Sequence, residues 1–228
     1  MTDEGRSILA RFATTGRRRN VSNVVRARMV SDVIAARLQQ NPQIQVVNIG
    51  AGFDSRAYRL TGGHWLEFDE PAIIEHKERC VPSSMCPNPL RRIAVDFSAG
   101  ELSGALSHCD PTAETLVVIE GVFMYLERSE VIDLLEAVAK ALPRHTLICD
   151  LMDKTFFDKH VGELHDQILA LGSEFKFLEA QPEKVFLDHG YSQTGKPLSI
   201  VGRANELGAV FAPAILLGTV MKSLRDGY

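Results

Sequence analysis

The sequence predicts an α/β fold with a doubly wound, mostly parallel sheet. Three observations carry the prediction. Short β-branched apolar runs alternate with longer stretches of helical periodicity, the pattern of strands joined by crossover helices. The first run, Gln45-Val46-Val47-Asn48-Ile49, passes directly into Gly50-Ala51-Gly52 and then into helix-forming residues. Strand, Gly-x-Gly turn and helix is the opening of a nucleotide-binding βαβ unit. Finally, acidic residues recur where successive strands end, at the edge where open α/β sheets hold ligands.

The elements follow in order. Residues 1–20 are mixed and basic, with a short helix expected over 7–14. From Val21 to Leu38, apolar residues Val24, Val25, Met29, Val30, Val33, Ile34 and Leu38 recur at spacings of three and four, predicting a helix that Asn41-Pro42 ends. The first strand spans 44–49 and a helix opens over Ser55–Leu60. After the turn Thr61-Gly62-Gly63, His64–Asp69 is the second strand. Pro71 then opens a helix through Arg79, proline being suited to a first helical position. The proline-rich stretch 80–89 is a loop, Leu90–Val95 a third strand and Leu116–Ile119 a fourth. Ser129–Leu142 is a helix with Ser129 as its N-cap and Val131, Leu134, Leu135, Val138 and Leu142 as its apolar stripe. Thr146–Leu151 is a fifth strand and Lys154–Leu171 another helix. Further on, Pro182–His189 reads as helix, Ser199–Val201 as part of a late strand, and 213–224 as either helix or strand.

The 228 residues, 45% apolar and 24% charged, suit one domain with a substantial core. A net charge of −4 and a pI near 6.0 give no reason to expect nucleic acid or a membrane surface as partner. The exception is Arg17-Arg18-Arg19, read as a solvated loop or helix end, with attraction of an anionic substrate as the sharper alternative. Cys80, Cys86, Cys109 and Cys149 form no Cys-x-x-Cys pair and no zinc-spaced cluster, so no metal site is expected and the thiols read as reduced, in a cytoplasmic protein without a signal peptide. The apolar run from Leu207 to Met221 falls short of a membrane span and Pro213 interrupts it; it suits an interface as well as a core.

The residue types at the strand ends point to the ligand. Ser55 stands where a dinucleotide site would carry a third glycine, and Asp54 puts a carboxylate where a pyrophosphate would sit. Both disfavour NAD and favour a ligand bearing an ammonium and a sulfonium, S-adenosylmethionine. Glu67 and Asp69 end the second strand, Asp96 the third and Glu120 the fourth. Asp69, seventeen residues past Gly52, has the spacing of a ribose-binding acid. Asp96 with Phe97 suits an adenine, and Glu120 before Gly121 suits the cofactor's charged end.

VVNIGAGFDSRAYRL, EFDEP, VDF and IEGVFMYL, in this order, resemble the leucine carboxyl methyltransferase family, including its bacterial members of the tetracenomycin polyketide O-methyltransferase type. The resemblance covers residues 22–152 well and is looser beyond, to SLRDGY at the end. It implies a Rossmann-like, class I methyltransferase fold that transfers methyl from S-adenosylmethionine to a carboxylate or other oxygen, leaving S-adenosylhomocysteine. Gly50, with Ala51, Gly52 and Asp54 of the same motif, would line the cofactor. Asp69 would hold the ribose, Asp96 and Phe97 the adenine, and Glu120 with Gly121 the amino-acid end. An arginine in the helix before the first strand would grip the methionine carboxylate; Arg26 has the spacing, with Arg28 close behind. Residues 1–42 are then a helical N-terminal segment, 43–152 the cofactor-binding core and 153–228 the substrate-side part of one domain. The stretch before Arg26 is short for the family and the chain stops before a final strand, departures that bear on the lid and on acceptor choice.

A carboxylate acceptor is already ionised at neutral pH, so no catalytic residue is required beyond positioning, with Tyr125 as a candidate near the methyl donor. A hydroxyl acceptor would use a base, for which His160, His165 and His189 are candidates by chemistry. The expected partner is a small-molecule carboxylate or hydroxyl acceptor. The alternatives are a non-catalytic S-adenosylmethionine-binding protein on this fold and an NAD(P)-dependent oxidoreductase.

Overall fold

The computed structural model describes residues 21–208 and Arg6. Five strands, β1 (Gln45–Ile49), β2 (His64–Asp69), β3 (Leu90–Ala94), β4 (Thr115–Ile119) and β5 (His145–Cys149), pair in the order β3-β2-β1-β4-β5, every pairing parallel. Helix α1 (Val21–Gln40) precedes β1. Then come α2 (Arg56–Arg59), α3 (Pro71–Cys80), α4 (Leu102–Ala105) and α5 (Arg128–Ala141) between successive strands, and α6 (Lys154–His160), α7 (Gly162–Ala170), α8 (Pro182–Asp188) and α9 (Ile200–Glu206) after β5.

Strand side chains alternate between two cores, which is why β1 and β4 are buried at every position. Val47, Ile49, Leu66, Phe68, Val117 and Ile119 meet Val131, Leu134, Leu135 and Val138 of α5 on one face. On the other face Val46, Trp65, Leu116 and Val118 meet Val30, Ile34 and Leu38 of α1. Each of those large side chains contributes roughly 1.5–3 kcal/mol by leaving water. The α1 stripe also fixes that helix's rotation, and α9 packs Ile200 and Ala204 against its Val25.

The register sets the level of the strand ends. Ile49 lies beside Phe68 and Ile119, and Ile119 beside Cys149. Gly50, Asp69, Glu120 and Asp150 therefore leave the sheet together. The chain runs outward through β2 and β3 and then returns to β4 on the other side of β1, so Gly50 stands at the switch point where such sheets open a crevice.

Four expectations change. The helix over Lys154–Leu171 is two helices: Asp153 caps α6 by accepting the Phe156 N–H at 2.6 Å, and the break comes at Val161, buried against Met124, Phe156 and Phe175, just before Gly162. Ser199–Val201 is no strand but the start of α9, because the Ser199 hydroxyl accepts the Gly202 N–H at 2.8 Å and caps a helix there. Helix α5 begins one residue early, with Glu127 rather than Ser129 at the N-cap and the Glu130 carboxylate taking the Glu127 N–H at 2.6 Å. Glu67 does not reach the rim: it lies two residues inside β2, 1% exposed, with Lys77 Nζ at 2.9 Å and Arg92 Nε at 3.0 Å. Its register neighbours are Asn48 and Arg92, so it is an interior ion-pair residue between β2, β3 and α3. The expectations for 7–14 and 213–224 lie outside the described residues. No helix among the described residues is long and apolar enough to cross a membrane.

Candidate functional site

The turn after β1 is held against β2. The N–H groups of Gly50 and Ala51 both donate to the Phe68 carbonyl, at 2.9 and 3.1 Å. Gly50 has φ of +69°, and a Cβ there would stand 2.4 Å from Val122 Cγ2, so only glycine fits. A Cβ on Gly52 would meet nothing within 4 Å, so the space over that residue is open. Asp69, 8% exposed, braces the turn: one oxygen accepts the Gly52 N–H at 2.5 Å and the other the Glu70 N–H at 2.8 Å.

Across the switch point a chain of alternating charges runs along the strand ends. Asp54 accepts the Asn48 amide at 2.8 Å, the Arg56 backbone N–H at 2.8 Å and Arg56 Nη1 at 2.9 Å. Arg56 Nη2 continues to Glu120 Oε2. Glu120 Oε1 accepts from Arg26 Nε at 3.0 Å, and Arg26 Nη1 donates to Asp150 Oδ2 at 2.9 Å. Asp150 Oδ1 accepts the Gly121 N–H at 2.7 Å. The charges are mostly withdrawn from water, with side-chain exposures of 17% for Arg26, 14% for Glu120 and 5% for both Arg56 and Asp150. Gly121 has φ of +71°, and a Cβ on it would come within 3.1 Å of Arg26 Nη2, so its bareness admits the guanidinium.

Of the two arginines in α1 with suitable spacing, Arg26 faces this site. Arg28 is 71% exposed and pairs with Asp32 one turn on. The rotation that buries Val25, Val30 and Ile34 decides between them. Asp54 differs from the expectation built on it: Asn48 and Arg56 engage its carboxylate, so its charge is largely offset and repulsion of a pyrophosphate is a weaker argument than the sequence suggested. Asp96 closes the turn after β3, where the Ser98 hydroxyl at 2.6 Å and the Ala99 N–H at 3.0 Å hold its carboxyl below the usual range. Phe97 beside it packs against the core, and its N–H reaches Glu70 at 3.3 Å.

Tyr125, in a turn of 3₁₀ helix over Phe123–Tyr125, sits with its ring 5.2 Å from that of Phe175. Burial pushes its phenol above the ordinary value, the nearby Arg26 charge opposes the shift and Asp150 adds to it. It is a neutral group at physiological pH. His160 is exposed beside Phe156, His165 stands between Phe157 and Phe175, and His189 donates from Nδ1 to the Val185 carbonyl at 2.7 Å. A cavity of about 450 Å³ lies along β5, bordered by Arg26, Asp150, Asp153 and Glu183 on its polar side and by Met29 and Leu198 among its apolar walls. Among the described residues no group of three or more His, Cys, Asp or Glu is placed to hold a metal.

Two site residues were missed. Asp150 ends the fifth strand as Asp96 and Glu120 end theirs, so extending the count of strand-end acids by one strand would have found it. Arg56 lies inside the motif already singled out, but nothing local distinguishes it from Arg59, which is exposed and, among the described residues, donates to Ser55 at 3.0 Å.

Comparison with known proteins bears on what this arrangement is. The model of the family described as leucine carboxyl methyltransferase matches residues 5–139. A Mycolicibacterium paratuberculosis protein under the provisional name S-adenosyl-L-methionine-dependent methyltransferase is 29% identical over 177 residues, covering 72% of this chain and 51% of the relative. The tetracenomycin polyketide synthesis O-methyltransferase of Streptomyces glaucescens is 27% identical over 128 residues, covering 55% of this chain and 45% of the relative. The chain thus spans about half the length of the curated relatives it matches. Among solved structures, magnesium protoporphyrin IX methyltransferase from Synechocystis PCC 6803 with bound S-adenosylhomocysteine aligns with a TM-score of 0.52 at 16% identity, covering 84% of this chain and 92% of that one. Human N-acetylserotonin methyltransferase in complex with S-adenosylmethionine aligns with a TM-score of 0.51 at 16% identity, covering 83% and 55%. At such identities the likeness is one of fold: the Rossmann-like sheet of class I methyltransferases.

Proposed function

The chain belongs to the leucine carboxyl methyltransferase family, and from that premise we propose that it is an S-adenosylmethionine-dependent O-methyltransferase acting on a carboxylate of a small metabolite. The observation that carries the reading is the Arg26–Glu120 pair at the switch point, anchored by Asp150 on one side and Arg56 on the other. A cation and an anion held side by side there match the carboxylate and ammonium of an amino acid. Asp69 stands at the same level beyond Gly50 and matches a ribose diol, while the open space over Gly52 leaves room between the two. In this reading Gly50, Ala51 and Gly52 line the cofactor with bare backbone and Asp54 shapes the turn. Asp96 and Phe97 take the adenine, Arg26 the carboxylate, and Glu120 with Gly121 the ammonium.

S-adenosylmethionine, when bound, supplies an electrophilic methyl group on a sulfonium. The chain's own residues would then align the acceptor oxygen in line with the methyl–sulfur bond and keep water out. A carboxylate acceptor is ionised at neutral pH and calls for no base. One observation favours a second reading within this activity, a hydroxyl acceptor. Asp150, Asp153 and Glu183 border the cavity along β5 against one arginine, Arg26, so an anion entering there meets net repulsion.

Isothermal calorimetry with S-adenosylhomocysteine tests the cofactor assignment: binding at tens of micromolar or tighter is expected, and its absence would overturn the proposal. NADH raising the melting temperature while S-adenosylmethionine does not would point instead to an oxidoreductase. Methyl transfer to matched carboxylic acids and alcohols then separates the acceptor classes, and cofactor binding with no turnover on either series would leave a non-catalytic binding protein.

A further inference from the structure

Arg56 is the part of the strand-end network to which the cofactor reading assigns no contact with the ligand. It is buried, and its guanidinium bonds four residues on three separate pieces of the chain. Nη1 donates to Asp54 in the turn after β1 at 2.9 Å, and Nε to the Ser31 hydroxyl of α1 at 3.1 Å. Nη2 reaches the Ala27 carbonyl of α1 at 3.4 Å and Glu120 at the end of β4. Asp54 clamps it from both sides by also accepting the Arg56 backbone N–H. Taking a guanidinium out of water costs several kcal/mol before its partners repay it, and an apolar side chain would tie the loop to α1 more cheaply. A charge kept here is explained by what it does to another charge.

We infer that Arg56 is a positioning residue for the amino-acid end of the cofactor, acting through Glu120 without touching the ligand; the inference rests on the cofactor reading above. Glu120 lies between two guanidiniums, one oxygen on Arg26 and the other on Arg56. A carboxylate on one partner can swing about its χ angles, whereas one held at both oxygens has a single orientation, and that orientation in turn fixes Arg26. Asp54 and Ser31 hold Arg56 itself in place, so the geometry is set by α1 and the turn after β1 before any ligand arrives.

The test compares two ligands on Arg56→Met. S-adenosylhomocysteine reaches both subsites, whereas 5′-methylthioadenosine carries the nucleoside without the amino-acid end. The variant is expected to lose about 10- to 100-fold in affinity for S-adenosylhomocysteine, the range set by a lost bond to a charged group, and less than about twofold for 5′-methylthioadenosine. Arg56→Lys, which keeps the charge but not the fork, is expected to fall between and to remain folded if the methionine variant does not. In an Glu120→Gln background the Arg56 effect should largely vanish, because the residues act as a unit. Equal losses for both ligands would make Arg56 a structural tie of the loop and overturn the inference, as would no loss for either. Failure of the unaltered protein to bind S-adenosylhomocysteine would overturn the cofactor reading itself.

Discussion

Asp69→Ala separates the bracing of the turn after β1, which the structure shows, from the ribose contact proposed for the same carboxylate. In the structure it holds the Gly52 N–H at 2.5 Å and the Glu70 N–H at 2.8 Å while only 8% exposed. Each is a bond from a neutral donor to a charged acceptor, worth about 1.5–3 kcal/mol when made and costly when the donor is left buried without a partner. Water can enter the vacated space and recover part of this, so the net destabilisation expected is about 2–4 kcal/mol. For a domain of this size that lowers the melting temperature by about 5–15 °C. The proposed ribose contact predicts a further loss seen only in binding, about 5- to 100-fold in affinity for S-adenosylhomocysteine. Differential scanning fluorimetry reads the first quantity, and calorimetry well below the variant's melting temperature reads the second. Asp69→Asn, which keeps the shape and can still accept one of the two N–H groups, should show about half the thermal loss. An unchanged melting temperature would refute the bracing role, and unchanged affinity in a folded variant would refute the ribose assignment.

Three further outcomes are expected. Gly50→Ala forces a Cβ to 2.4 Å from Val122 at positive φ and should cost about 2–4 kcal/mol in chemical denaturation, whereas Gly52→Ala, with open space around it, should cost about 1 kcal/mol and act mainly on ligand affinity. Arg26→Met should weaken S-adenosylhomocysteine binding by at least about tenfold, while Arg28→Met on the exposed side of the same helix changes it less than about twofold in the same titration. Burial and the nearby Cys149 push the Tyr191 phenol up to about 12 from an ordinary 10.0, so it ionises first in the unfolded chain. Its contribution is present in full below pH 10 and is lost as pH rises to 12. Urea titrations across that window should show a steeper alkaline loss for the unaltered protein than for Tyr191→Phe.

The sequence by itself determined the five strands and helices α1, α2, α3, α5 and α8, because short β-branched runs and a 3.6-residue periodicity are local properties, and the acids at the ends of β2, β3 and β4 lie in those same local patterns. It also located the Gly50–Gly52 turn, since glycine's tolerance of positive φ is intrinsic to the residue. Tertiary structure alone decided which charges meet. Arg26 finds Glu120 across 94 residues and Asp150 across 124, and no spacing rule spans such distances. The choice of Arg26 over Arg28 came from the rotation of α1 on the sheet, a packing decision made by Val25, Val30 and Ile34. The sequence groups Glu67 with Asp69 as acids ending the second strand, but the register sets Glu67 opposite Asn48 and Arg92, inside the protein. Ser199 capped a helix where three residues of strand character were too few to outweigh it. Arg56 looked like an ordinary helix residue until the fold turned it towards the end of β4, because a buried ion pair is specified by the three surfaces that enclose it and not by its own neighbours in the chain.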